Sequence, residues 1–326
     1  VGEAIVENED DKDDDEMRHG ERIPKAVRRP TAPTKAMIEE HYPCHAHYRS
    51  WCPDCVAGRS LGKQHRSGDA AEEPLGITIS LDYAFKSGDE IESDIVPILV
   101  AYDHSKKALW ALEVGEKGVD AGVGVTWLTE KMEFAGYAGV KVTLRSDQEV
   151  SIVALKRALA IKRSAETAMV ESPVRESQSN GRIERAIRTW RDQFRTLRHQ
   201  YERRMKTSME KNGALMSWLV SWAAEVLNRY KVQDNGRTAF EMMTQHRCKT
   251  AMVGFGEKVH FQHTSRNKDD YKKEVGVFLG VTDRSSTYLV GTKDGVYGSP
   301  YVKAFPDDEA YDLSIASEIS TRFYDF

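Results

Sequence analysis

From Ile77 to Phe85 (ITISLDYAF), Ile77, Ile79, Leu81, Tyr83 and Phe85 alternate with other residues, the two-residue period of a strand. The alternation sets Asp82 on the opposite face, beside Ser80. Two more strands are expected over Asp94 to Tyr102 and Ala108 to Val114, joined by the turn-like Asp103-His104-Ser105-Lys106-Lys107 into an antiparallel meander. A helix is expected over about Ala121 to Phe134, a short strand over Lys141 to Arg145 ending at Asp147, and a helix over Ser151 to Arg163. A fifth strand follows over Ala165 to Val174. From near Gly181 the pattern becomes a long amphipathic helix, in which Ile183, Ile187, Trp190, Phe194, Leu197 and Tyr201 recur at helical spacing.

Another helix should span Leu215 to Tyr230, its stripe of Leu215, Trp218, Leu219, Trp222, Val226 and Tyr230 reading as core. Short strand-like pieces then occur at Lys258 to Gln262, Val275 to Val281, Thr287 to Gly291 and Tyr301 to Phe305. The order is that of an α/β unit over 75–205, a helical extension over 206–250 and a small β-rich domain over 251–326. Residues 1–35 are acidic, then rich in Pro, Arg and Thr, with nothing periodic to bury, and are expected to be a disordered tail. A polar linker occupies Gly58 to Pro74.

Charge sharpens this division. The net charge of −4 is dominated by nine acidic residues within Val1 to Glu16, set against Lys12; without that segment 46 basic residues face 42 acidic, a balance of +4. Arg182 to Lys206 holds nine basic residues against three acidic ones, either a phosphate-binding surface or a solvated helix face. Arg185, Arg188, Arg191, Arg195 and Arg198 follow similar spacing there. No apolar run approaches the roughly 18 residues of a membrane span, so no membrane partner and an intracellular setting are expected. In that setting Cys44, Cys52, Cys55 and Cys248 read as metal ligands or buried thiols rather than as a disulfide framework. A chain opening on Val1 reads as a piece of something longer.

Three carboxylates occupy positions suited to holding two divalent ions for phosphodiester chemistry: Asp82 mid-strand, Asp147 at a strand end and Glu184 in the first turn of the long helix. If the first and fourth strands are parallel neighbours, Asp82 and Asp147 meet, and the helix carrying Glu184 packs across them. With 51 acidic residues in the chain, spacing alone is weak evidence, and most such triples are solvated.

The residues around each carboxylate are more specific. LDYAF at 81–85, RSDQE at 145–149 and ESQSNGRIERAIR at 176–188 resemble the catalytic core of retroviral-type integrases, in particular those of copia-type retrotransposon polyproteins. The 37 positions from Asp147 to Glu184, and Asn180-Gly181 as a turn before the helix, agree with that family. Trp218 to Tyr230, TAFEMM at 238–243, GFGEKVHF at 254–261 and GVFLGV at 276–281 resemble, in order, the segments C-terminal to such cores. The resemblance implies an RNase H-like fold with a mixed five-stranded sheet, and Asp82, Asp147 and Glu184 as ligands to two Mg or Mn ions. It also implies a DNA integrase that processes 3′ ends and joins them to target DNA, acting as a homo-oligomer in the nucleus. Arg185, Arg188, Arg191, Arg195 and Arg198 would then hold the DNA backbone, with Gln178, Ser179 and Asn180 beside the attacked strand. One departure is Gln148-Glu149 after Asp147, which makes Glu149 a competing ligand. An RNase H-like nuclease and a catalytically decayed DNA-binding remnant are the alternatives.

Over 36–58, His41-x3-His45-x6-Cys52-x2-Cys55 supplies four ligands of the kinds zinc takes in closed tetrahedral sites. Cys44 and His47 are substitutes, and a loop with two free thiols is the alternative. The segment resembles the His-His-Cys-Cys element of integrases, with a shorter spacer, and that implies one structural zinc.

Overall fold

The computed structural model describes residues 30–59, 76–85, 96–119, 122–171, 177–262 and 273–326, with the side chains of 177–180 and 273 outside the description. Most of the expected tail and of the 58–74 linker lies outside the described residues. Residues 33–326 form one compact unit.

It opens with two short helices, α1 (Lys35–His41) and α2 (Pro53–Gly58). The meander comes next as β1 (Ile77–Phe85), β2 (Pro97–Asp103) and β3 (Leu109–Glu113), with antiparallel pairing throughout. After it come α3 (Val123–Phe134), β4 (Val142–Ser146), α4 (Val150–Lys162), β5 (Thr167–Glu171) and the 29-residue α5 (Ser177–Met205). The sheet order is β3-β2-β1-β4-β5, with β4 parallel to both β1 and β5. This mixed five-stranded sheet is the RNase H-like arrangement.

Helices cover both faces, which is why β2 and β3 are almost wholly buried rather than alternating. Ile79, Leu81 and Tyr83 pack with α3 and α4 on one side. Ala84, Ile98 and Val100 pack on the other with Ile183, Ile187, Trp190 and Phe194 of α5. The face that sequence alternation assigned to Asp82 is therefore the face covered by α5.

Behind α5 lies α6 (Ala214–Tyr230), followed by α7 (Ala239–Thr244). Trp190 Nε1 donates to the Val220 carbonyl at 3.0 Å, joining α5 to α6. The β3 edge is closed by side chains of α6. Asn228 accepts from the Leu109 N–H at 2.8 Å and donates to its carbonyl at 2.7 Å, and Ser221 donates to the Ala111 carbonyl at 2.9 Å. Edge backbone groups that would otherwise seek another strand are thereby satisfied.

The C-terminal region is an antiparallel sheet of β6 (Lys258–Gln262), β7 (Lys273–Val281), β8 (Tyr288–Thr292), β9 (Gly295–Ser299) and β10 (Val302–Ala304), in the order β10-β6-β7-β8-β9. The sequence pattern did not indicate β9, whose Gly-Val-Tyr-Gly-Ser offers little apolar alternation. Phe255, Val259, Phe261, Phe278 and Val290 share one core with α5 and α6, so this sheet is packed onto the two helices. Gly256 shows how close the approach is: it has φ +79°, and an added Cβ would lie 2.5 Å from the Tyr201 ring.

A buried charge cluster fastens α3 to the same assembly. Lys131 Nζ donates to both carboxylate oxygens of Asp283 at 2.7 Å and to Glu225 of α6 at 3.2 Å. Burial alone would lower the Lys131 pKa, but the two carboxylates hold it above its ordinary value. Replacing Lys131 with Met is expected to destabilise the protein by about 3 kcal/mol, because it leaves two buried carboxylates sharing fewer cations. Urea unfolding of parent and variant at pH 7 measures this, and equal midpoints would show the cluster to be neutral.

Candidate active site and metal centre

Strand pairing brings the first two carboxylates together. Ser80 of β1 pairs with Arg145 of β4, the last pair of their parallel register, so Asp82 and Asp147 each lie two residues beyond it, and the charge of Asp147 acts on Asp82. Glu184 reaches the site from α5: a cleft of about 320 Å³ is lined by Asp82, Tyr83, Glu184, Ile187, Arg188, Arg191, Asp192 and Arg195. Residues 184, 188, 191 and 195 lie on one helical face, and Ile183 and Ile187 dock the helix beside them.

Asp82 is pushed up to about 6, first by burial and then by the nearby charges of Asp147, Glu149 and Glu184, against the Tyr83 N–H that donates to it at 2.7 Å. Four acidic groups therefore share one field. Arg191 faces the same place: its own pKa is lowered by burial and by Arg195, and Asp82 opposes that fall. Hard oxygen donors of this kind suit Mg or Mn. A divalent cation would also relieve the repulsion that raises Asp82. Among the described residues, however, Asp82, Asp147 and Glu184 do not converge as tightly as His41, His45, Cys52 and Cys55.

Several details differ from the sequence expectation. The helix begins at Ser177, so Asn180-Gly181 lies inside α5 instead of forming a turn before it, and Glu184 is the eighth residue rather than in the first turn. The macrodipole fades within the first turn, so Glu184 is placed by the docked apolar stripe and not by the helix end. A glycine in a helix costs about 1 kcal/mol, which the packing of so long an amphipathic helix offsets. Gln178, Ser179 and Asn180 lie in the opening turns of α5, with side chains outside the described residues.

The arginine stripe also divides. Arg188, Arg191 and Arg195 line the Asp82 cleft, Arg198 is engaged by Glu202 at 2.9 Å, and Arg185 turns to a second cavity. Glu149, the competitor to Asp147, accepts from Lys117 at 2.8 Å and from Ser151 at 2.6 Å. Its pKa falls below the ordinary value, as the Lys117 and Ser151 hydrogen bonds outweigh the opposing effect of burial.

The second site is more compact. His41 Nε2, His45 Nδ1, Cys52 Sγ and Cys55 Sγ all lie within 4.8 Å of one another. The nitrogens are 3.0 Å apart, and the sulfur to nitrogen distances are 3.3, 3.4 and 3.7 Å. Zinc bonds of about 2.0–2.3 Å in tetrahedral array give edges of roughly 3.3–3.8 Å, so the quartet is consistent with a zinc site. His41 ends α1, and His45 lies one further turn along, its N–H donating to the His41 carbonyl at 3.0 Å. Cys52 caps α2 and Cys55 lies within it. All four cysteines are free thiols; Cys44 packs against the core and His47 is exposed, and neither joins the quartet.

Asp54, which sequence reading passed over, supports this centre. It accepts from Arg203 of α5 at 2.9 and 2.8 Å and lies 2.8 Å from His199. Its other neighbour is the buried His45 Nε2, which has no hydrogen-bond partner and lies 4.0 Å from an Asp54 oxygen. A carboxylate behind a histidine ligand is the usual outer support of a metal site. The segment is seated on α5 by Gln193 donating to the Cys44 carbonyl at 2.7 Å and Gln200 to that of Tyr42 at 2.9 Å. Gly58 closes the contact, since a Cβ there would lie 2.3 Å from Thr196 Oγ1.

No protein-family model matches the chain, and no curated protein matches it. Among solved structures it is similar to a chain in the cryo-EM structure of the simian T-cell lymphotropic virus intasome in complex with PP2A regulatory subunit B56 gamma. The identity is 12% over 77% of this chain and 86% of that one, with a TM-score of 0.39. It is also similar to the HTLV-2 integrase catalytic core domain in complex with magnesium (trimeric form), at 10% identity over 51% of this chain and 95% of that one, with a TM-score of 0.34. The fold is integrase-like on its own strand order and on the parallel β1 and β4 pair. No helix among the described residues is long and apolar enough to cross a membrane.

Proposed function

We propose that this chain is a metal-dependent polynucleotidyl transferase, an integrase of a copia-type retrotransposon that processes 3′ ends of element DNA and joins them to target DNA. The observation that supports this most is the parallel β1–β4 pair, which runs Asp82 toward Asp147, whose charge acts on it, beside a cleft lined by Asp82, Glu184 and three arginines. Asp82, Asp147 and Glu184 are the residues that would hold Mg or Mn. Bound there, the ions supply activation of the attacking oxygen and neutralisation of the leaving one. Arg188, Arg191 and Arg195 hold phosphates along the cleft, a grip independent of base sequence and sensitive to salt. The freed 3′ hydroxyl attacks the target phosphorus in line as the target strand's own P–O3′ bond breaks, the proton lost by the attacking hydroxyl ends on the departing 3′ oxygen, and no side chain becomes covalently attached. The His/Cys quartet holds one structural zinc. Self-association, DNA as partner and the nucleus as the place of action belong to the same reading.

The test supplies a labelled short duplex and a plasmid with magnesium or manganese, using parent and Glu184→Gln. Joined product is expected from the parent, with a fall of at least about 100-fold in the variant, the scale on which loss of a charge-stabilising group is felt. Cleavage without joining would assign the site to a nuclease. Equal joining by both proteins would remove Glu184 from the site.

A further inference from the structure

Arg185 stands apart from the arginines that line the Asp82 cleft. On its side of α5 lies a narrow cavity of about 90 Å³, lined by Lys107 from the β2–β3 turn, Arg182, Arg185 and Thr189 from α5, and Asn228 and Lys231 from the end of α6, among others. Its described lining holds four cationic side chains and no carboxylate. Three separate elements contribute those cations, so they are brought together by the fold rather than by helical repetition. Lys231 is mostly buried there, and burial with the field of Arg59 lowers its pKa against Asp234, a cost that an anion would relieve. The volume lies well below the roughly 300–1,000 Å³ that encloses a drug-sized ligand, so the cavity admits the tip of an anion and not a whole nucleotide.

We infer that the cavity between the β2–β3 turn, α5 and α6 is a phosphate-binding site that takes a phosphodiester of a nucleic-acid backbone, a second grip separate from the carboxylate cleft. The two cavities share no lining residue, so the grips hold separate phosphates. The choice of a nucleic acid as ligand rests on the proposed function; the phosphate chemistry rests on the cavity itself.

The test is binding of a fluorescent duplex by the zinc-loaded full chain across a salt series with no magnesium or manganese added, so that binding is read apart from joining. Arg185→Gln and Lys231→Gln are compared with the parent and with Arg191→Gln from the other cleft. Each cavity variant is expected to weaken binding by about 5- to 10-fold at 0.1 M salt and to flatten the slope of log affinity against log salt by about 1. Circular dichroism and melting curves matching the parent keep the comparison on folded protein. A loss confined to Arg191→Gln would overturn the second grip while leaving the carboxylate cleft as a nucleic-acid site. Unchanged duplex slopes, with parent-specific binding of inorganic phosphate lost in the cavity variants by calorimetry, would assign the cavity to a free anion and overturn the backbone reading.

Discussion

Asp82→Asn is expected to abolish strand joining and, in chelator, to make the protein more stable than the parent. Asp82 is pushed up to about 6 by burial and by Asp147, Glu149 and Glu184. A carboxyl raised on folding lends stability that is fully present below its unfolded value near 4 and is lost as pH rises through about 6. The folded state binds more protons than the unfolded in that window, so stability falls with rising pH. Asparagine removes the ionisation but keeps an oxygen for the Tyr83 N–H. At pH 7 the gain is about 1–3 kcal/mol, allowing for partial exposure of the cleft, or a few degrees of melting temperature. The difference should vanish below about pH 4. Adding magnesium should then stabilise the parent and leave the variant unmoved, because only a ligand that favours the folded state shifts unfolding. Melting curves at pH 4 and pH 7, with and without magnesium, decide it. A variant less stable than the parent at pH 7 in chelator would show that Asp82 is a structural carboxylate and not part of a strained metal site.

Removal of zinc should have the larger structural effect. One zinc per chain is expected by elemental analysis, and none in Cys55→Ser. The four ligand atoms already lie at near-tetrahedral spacing, so the ion would meet a preformed site, and structural zinc contributes about 10–16 kcal/mol of apparent binding in small domains. Only part of that reaches the whole molecule, since residues 33–59 are joined to the core chiefly through α5. Without the ion, Gln193, Thr196 and Gln200, all fully buried, would face solvent as their cover loosens. A fall of several degrees in melting temperature and rapid proteolysis ahead of Arg59 should result. Zinc-free protein with the parent's melting curve would show that hydrogen bonds to α5 alone hold the segment.

The core was readable from the chain because its signals were local. Ile77–Phe85 and Lys258–Gln262 emerge with the bounds their alternation gave, and the alternation around Asp82 identified its face before any neighbour was known. The nearness of Asp82 to Asp147 was legible only as a condition, since it depends on β4 lying parallel beside β1, a relation between residues 65 positions apart. What stayed hidden involved contacts with no periodic signature. Lys117, which engages Glu149, lies in an irregular stretch after β3, and Asp54 looked like any acidic residue between two cysteines. The arginine spacing also carried no sign that Arg185 lines a different cavity from Arg188, Arg191 and Arg195, because that division depends on the β2–β3 turn and the end of α6 packing beside α5.

That geometry makes α5 intolerant in a particular way. Glu184 points to the carboxylate cleft, Gln193 and Gln200 to the His/Cys segment, and Tyr201 to the turn before β6, all from one uninterrupted rod. One added or deleted codon between Glu184 and Gln193 would rotate everything beyond it by about 100°. Such a frame-preserving change would unseat the His/Cys segment and the C-terminal sheet and would also turn Arg195 out of the cleft, while leaving Asp82, Tyr83 and Glu184 in place. Among diverging copies of this gene, single-codon length changes should accumulate in the loops and be purged from these turns of α5.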